Sequence, residues 1–349
     1  MAENRTRVFQ WSNGGPPDWP TVAAVALCMA GSILLAQRHG QLPAGLAVAL
    51  GALLAGNARS GGALGGQARE RGAVLLTALA AAGFAALCAG RGWWGDMAMV
   101  AAAGLAALAG GYSRGLAMAS GRFIVFSILA GSFAEAAEPA ALFLLTGAGT
   151  LITLVVALLF AAAWRKVAGA SPSTPIPTPA TATARQRFRR WRRSLRGLAG
   201  WQFALRLVPA LAVAAVADHL WPGHHLHWIA VTIAILCRRE PERPPVMAVQ
   251  RSLGALLGVA ATGLMVGWEP HGWALAAPVA ALSGLATWLR PRSYLAYAAC
   301  MTPLIILLLD AGRPVEAAVL VDRLAASVAG AALVVAGNAI VVRLPAANR

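Results

Sequence analysis

Apolar runs close to twenty residues long recur from residue 20 to residue 342, and they limit the fold more than any other feature of the chain. A helical run of that length covers about 30 Å at 1.5 Å per residue, the thickness of a bilayer's hydrocarbon core. The runs are built of Leu, Ala, Val and Gly without the alternation a barrel strand needs, so helices are the spanning element. Only 12% of residues are charged and 58% are hydrophobic, whereas a soluble domain is about a quarter charged. We read twelve spans, at roughly 20–37, 43–58, 72–90, 95–112, 121–135, 139–163, 202–220, 226–238, 251–268, 272–289, 294–310 and 317–342. The second, fifth, eighth and eleventh are short or interrupted by Pro or Gly. The first 18 residues are polar and lack the apolar core of a cleaved leader, so the first run reads as a retained span.

The net charge is +16, almost all of it arginine, with Lys166 the single lysine. With the N-terminus in the cytoplasm, Arg59, Arg69, Arg71, Arg114, Arg122, Arg238, Arg239, Arg243, Arg290, Arg292, Arg343 and Arg349 all fall on the cytoplasmic side, together with the central linker. Arg38, Arg91 and Arg313 are the basic residues left outside. The acids Asp96, Glu135, Glu138, Asp218, Glu269, Asp310 and Glu316 fall outside. That is the positive-inside rule, and it explains the basic excess without a nucleic-acid partner. It orients the chain as a multi-pass membrane protein with both termini cytoplasmic. Trp93, Trp94, Trp221, Trp268 and Trp273 fall at the outer interface, and Trp164, Trp201 and Trp288 at the inner one.

Short matches recur at an offset near 180: Gly104-Leu105-Ala106 with Gly284-Leu285-Ala286, Ala130-Gly131 with Ala311-Gly312, Ala47-Val48 with Ala230-Val231, and Arg71 with Arg251. Their common order predicts an all-α integral membrane fold of two tandem six-helix repeats. An even number of spans per half relates the repeats by a pseudo-two-fold axis along the membrane normal. The organisation is then a cytoplasmic N-terminus (1–19), a first repeat (20–165), a cytoplasmic linker (166–200) and a second repeat (201–345). Ser171 to Ala184 is rich in Pro, Thr and Ala and reads as extended linker. Arg185 to Arg196 then holds seven arginines with Phe188, Trp191 and Leu195 among them. It reads as an interfacial helix on anionic lipid headgroups, or as a topology anchor; the two are compatible.

Ionisable residues inside a bilayer are costly and point to function. Arg206 lies a short way into the seventh span, where it either binds an anion or snorkels to the cytoplasm. Asp322 and Arg323 are adjacent in the last span, so they face different partners. Arg323 heads a stripe of Ser327, Gly330, Val334 and Asn338; Thr146, Thr150 and Thr153 make an uncharged counterpart in the sixth span. The stripes line a central cavity or pack helices closely through small residues. The short second and eighth spans sit at corresponding places in the halves, a transporter pattern, or are ordinary short helices. His219, His224, His225 and His227 cluster near Asp218 without the ligand spacing of a known metal site. Cys28, Cys88, Cys237 and Cys300 are scattered and read as small packing residues. No nucleotide loop, H-E-x-x-H or G-x-S-x-G motif occurs, so neither an enzyme nor a cofactor is expected.

From His227 to Gly258 the chain runs Trp228, a short apolar segment, the charged turn Arg238 to Pro245, Arg251, then Gly254-x-x-x-Gly258. With Arg206, Tyr294, Tyr297 and Arg323, this pattern resembles the fusaric-acid-resistance and aromatic-acid-exporter families of inner-membrane proteins. The likeness is strongest over 200–345. Family members often carry a cytoplasmic domain where this chain has only a linker. The resemblance implies proton-driven efflux of an amphipathic organic anion: an aromatic carboxylate, fusaric acid or a xenobiotic. It also implies a periplasmic adaptor partner and the possibility of a homodimer. Arg323, Ser327, Asn338, Arg206, Thr146, Thr150 and Arg251 are the candidate substrate residues, with Arg251 either structural or at the inner mouth, and Asp322 is the candidate proton-coupling residue. A passive anion channel and a non-transporting scaffold are the competing readings.

Overall fold

The computed structural model describes residues 9, 11–12, 17–58, 64–134, 138–168, 183–240, 244–267, 269–309, 311, 314 and 316–343. The Pro-rich stretch 169–182 lies outside them, as do Arg59, Glu135, Arg243, Trp268, Asp310, Arg313 and Arg349. Among the described residues the chain is all-helical, with thirteen helices and no strand. The first six are α1 (Trp19–Arg38), α2 (Leu42–Ala55), α3 (Leu64–Cys88), α4 (Trp93–Ala109), α5 (Arg114–Ala134) and α6 (Pro139–Ala168). A short polar helix, α7 (Ala184–Ser194), follows. The last six are α8 (Leu198–Leu220), α9 (His227–Leu236), α10 (Pro244–Gly263), α11 (Trp273–Leu289), α12 (Tyr294–Leu309) and α13 (Ala317–Arg343).

Seven of these, α1, α3, α5, α6, α8, α10 and α13, are long and apolar enough to cross a membrane; α2, α4, α9, α11 and α12 are apolar but shorter. Leu76, Leu87, Leu105, Leu144, Leu159, Leu264, Val321 and Ile340 point outward from the bundle, as lipid contact requires. The chain is a multi-pass membrane protein.

Helices α3, α5 and α10 begin about two turns before the spans read from hydropathy. A hydropathy span stops at a charge, but a helix does not need to. Arg69, Arg71, Arg114 and Arg122, expected in loops, are helical. Arg122 of α5 pairs with Glu70 of α3 and also donates to Asn57 O at 3.2 Å, so the early turns of α3 and α5 hold each other.

In the first six helices α2 lies on α6, α3 on α5 and α6, α1 on α2 and α6, and α4 on α5. In the last six α9 lies on α13, α10 on α12 and α13, α8 on α9 and α13, and α11 on α12. The two sets meet where α11 packs on α1, α4 on α8, and α9 on α5. Glycine makes several of these crossings close. A Cβ on Gly258 would stand 2.6 Å from Thr302 Cβ, and one on Gly254 2.7 Å from Ala298 Cβ, so the Gly-x-x-x-Gly face is the seat of α12 on α10. Gly92 and Gly272, at φ 51° and 56°, cap the N-termini of α4 and α11 in a conformation that glycine adopts freely.

Contacts collect the arginine-rich turns at one end of the bundle, here called the basic end. Ser12 donates to Pro291 O at 2.6 Å, Trp11 packs on Trp288 at 6.2 Å, and Arg290 donates to Gly56 O at 3.0 Å. Trp191 donates to Leu108 O at 3.0 Å, and Arg239 donates to Ala107 O. At the opposite end His219 stacks on Trp93 at 5.6 Å and the 221–226 turn meets Asp322.

Candidate functional site

The site begins with α9, a ten-residue helix too short to span. Its apolar residues bury it among neighbours, and it lies along α13. A Cβ on Gly330 would come within 2.8 Å of Thr232 Cβ and 3.0 Å of Ile229 O, so the glycine lets the two backbones approach. Everything in that seam is shut from solvent. Arg323 and Ser327 of α13 are 0% exposed, as is Thr232 of α9. Arg323 sits about 9 Å along α13 from its start at Ala317. Its guanidinium carbon lies over the Trp228 ring, 3.5 Å from the centroid.

That stacking leaves the rim of the guanidinium unused. All three of its nitrogens lack a hydrogen-bond partner, and so do Ser327 Oγ one turn on and Thr232 Oγ1 across the seam. A cation over a desolvated indole gains about 2 kcal/mol. Taking the ion out of water costs several kcal/mol, so Trp228 offsets only part of that. The seam is a dry set of polar groups, one guanidinium and two hydroxyls, none of them hydrogen-bonded.

A second cation lies in the same half. Arg251, about 10 Å into α10 from Pro244, is 1% exposed, and its Nε and one terminal nitrogen have no partner. The Tyr294 hydroxyl, on the α12 helix that packs against α10, is also buried and unpartnered. Arg251 and Arg323 are buried on two helices that pack together, so two like charges share one low-dielectric region. Among the described residues, the ion pairs are Arg122 with Glu70 and Asp322 with His224 and His225, and neither involves these arginines. The first half holds one comparable residue. Arg71, 180 positions before Arg251, is 2% exposed with all three guanidinium nitrogens unpartnered.

Arg206 is different. Though 5% exposed, it is fully engaged: Nε donates to Gln202 O at 3.1 Å, one terminal nitrogen to Asn338 Oδ1 at 2.8 Å, and the other to Arg239 O at 3.1 Å. It neither snorkels nor stands free; it ties α8 to α13 and to the turn after α9. Arg239, which the sequence reading passed over, stacks on Phe203 at 4.8 Å while reaching Ala107 O. Its place in a charged turn carried no sign of this bridge. Arg206→Gln should lower stability by about 1.5–3 kcal/mol, the worth of hydrogen bonds to a charged group. In detergent unfolding, Arg206→Gln with Asn338→Ala should cost less than the two single changes added.

The remaining candidates fall in two places. Thr146 and Thr150 are buried where α6 crosses α2, and Thr150 Oγ1 lies 3.1 Å from Gly51 O and 2.8 Å from Thr146 O. This seam, unlike that of α9 and α13, holds no buried arginine among its described residues. Asp322 points away from Arg323, toward the opposite end. It lies 3.1 Å from His224 Nδ1 and 3.5 Å from His225 Nδ1, and accepts from the His225 backbone N–H at 3.2 Å. No group of three metal-binding side chains occurs among the described residues, and the four cysteines are unbonded.

Residues 210–337 match the family model described as fusaric acid resistance protein-like. The match runs from within α8 to within α13 and takes in Trp228, Arg251, Tyr294 and Arg323, while Arg206 and Asn338 lie just beyond its ends. No curated protein and no solved structure matches the chain.

Proposed function

We propose that this chain is an efflux transporter of amphipathic organic anions, with the α9–α13 seam of its family-matched half as the anion site. One observation carries the reading. Arg251 and Arg323 are buried without a carboxylate partner, and a desolvated, unpaired cation in a membrane protein calls for a transient anion. Arg323, Ser327 and Thr232 would hold the anion's carboxylate, and the Trp228 ring its apolar body. Arg251 and Tyr294 lie nearer the basic end, Arg323 nearer the opposite one, so the cations mark a route through the second half. Since Arg323 is 0% exposed, the conformation is occluded, and the halves must move for the anion to enter.

Alternating access between two six-helix repeats supplies that motion. The like pairing of helices within each set, the reciprocal contacts of α11 with α1 and α4 with α8, and the glycine caps of α4 and α11 support two repeats about an axis along the membrane normal. The arginines at the basic end support a cytoplasmic position for that end and for both termini, in a bacterial inner membrane. The matched family's name favours fusaric acid and related aromatic carboxylates as substrates. Asp322 with His224 and His225 is the proton-coupling group at the outer mouth. A periplasmic adaptor would take the anion onward.

The test is uptake of a radiolabelled aromatic carboxylate into inverted membrane vesicles. Accumulation that requires an imposed proton gradient supports the reading. Downhill flux indifferent to the gradient would make the protein a channel, and no flux of any aromatic acid would remove the substrate class.

A further inference from the structure

We propose that α7 is a binding site for anionic phospholipid, through which the cytoplasmic leaflet holds the linker between the repeats across the basic end of the bundle. The leaflet assignment rests on the orientation proposed above; the site itself does not.

The argument starts from the helix. Thr183 accepts from the Gln186 backbone N–H and Gln186 accepts from the Thr183 backbone N–H, a reciprocal cap that starts α7 after the Pro-rich stretch. At 100° per residue, Phe188, Trp191 and Leu195 share one face. Arg185, Arg189, Arg192, Arg193 and Arg196 gather on the side next to it, Arg192 one turn from Phe188, with Arg190 beyond them, and all six are exposed. Among the described residues none of the six has an acidic partner.

The apolar face is held by aromatic groups with polar tips. Trp191 Nε1 donates to Leu108 O at 3.0 Å, and its ring meets Tyr112 edge-on at 6.3 Å. Trp201, at the start of α8, donates to Leu195 O at 2.9 Å, and the Tyr112 hydroxyl lies 3.5 Å from Ala184 O. Tryptophan and tyrosine with one end wet and one dry belong at the headgroup level. They lay α7 flat at that level, with Phe188 half-exposed beside its arginines. A flat arginine face at headgroup depth meets phosphate oxygens first, which guanidinium groups bind with paired hydrogen bonds.

The docking is built into the fold. Trp191 of the segment before the second six helices sits on the end of α4. Trp11, 180 residues earlier, sits on Trp288 near the end of α11, 180 residues after Leu108. Each leading segment thus crosses to the opposite set of helices. Only the second carries the dense arginine face, so lipid bound there would fasten one of two crossings.

The test is hydrogen exchange of the full-length protein in nanodiscs, of phosphatidylcholine alone or with phosphatidylglycerol. Amides of 184–197 should exchange at least about tenfold more slowly in the anionic discs. In the variant with Arg189, Arg190, Arg192 and Arg193 all changed to Gln, the difference should vanish while amides of α3 and α12 stay protected, which shows the fold intact. Trp191→Ala should keep the lipid dependence but release the amides of 108–113. Equal exchange of 184–197 in the two lipids would overturn the proposal, as would a lipid dependence that survives in the four-fold variant. No substrate is present, so failure here leaves the transport reading untouched, and failed transport leaves this one untouched.

Discussion

Exchanging Arg323 for methionine is expected to do two opposite things: abolish anion transport and make the ligand-free protein more stable. Methionine is unbranched and flexible, can pack along most of the arginine's path toward the Trp228 ring, and asks for no hydrogen bonds. The arginine it replaces is 0% exposed with three unpartnered nitrogens. Its stacking on Trp228 offsets about 2 kcal/mol of a larger desolvation cost. Removing a buried charge in favour of a well-packed apolar side chain should therefore gain about 1–4 kcal/mol in unfolding measured without substrate. Transport should fall at least roughly 100-fold, because an anion brought into the seam would find no cation to meet it. Substrate at a hundred times its dissociation constant should stabilise the wild type by about 2.7 kcal/mol and the variant not at all. If methionine instead destabilises the ligand-free protein, Arg323 is part of the scaffold and the anion site must be sought at Arg251.

Much of this was open to a reader of the sequence. Twelve apolar segments, their order and the arginine stripe of the last one follow from periodicity and the cost of charge in lipid. Arg323, Ser327, Val334 and Asn338 do face inward together. What the sequence concealed has one physical root: a polar group's role depends on what another helix places opposite it. Arg206 and Asn338 both looked free, and each is the other's partner. Arg251 stood at the edge of a hydropathy span, and the helix carries it two turns inside. Arg71 was counted as a loop charge for the same reason, and it is buried. Trp228 entered as one letter in a loose pattern; its place beneath Arg323 required α9 to lie along α13. The near-constant offset of 180 was a long-range signal, and it joined Arg71 with Arg251, both of which are buried.

The threonine stripe of α6 shows the same limit, and it leads to the largest stability effect. Thr146 and Thr150 could have lined a cavity, but the facing backbone of α2 fills the space. A Cβ on Gly51 would lie 2.2 Å from Thr146 O and 2.6 Å from Thr150 N, and one on Gly149 would lie 2.1 Å from Val48 O. These neighbours are backbone atoms of packed helices, which cannot rotate aside as a side chain can. Gly51→Leu must therefore push α2 off α6, break the approach of Thr150 Oγ1 to Gly51 O, and cost about 3 kcal/mol or more. Gly149→Ala should be nearly as harmful for so small a change. Gly72, inside α3 with nothing within 4 Å of its would-be Cβ, is the control. There Gly72→Ala should be neutral or gain roughly 0.5–1 kcal/mol from helix propensity alone. Thermal unfolding of the three variants in one detergent separates the cases. Equal midpoints for Gly51→Leu and wild type would mean that α2 does not sit on α6 as described. The seam would then be loose enough to admit a ligand beside Thr146 and Thr150, and those threonines would return as candidates for the anion site.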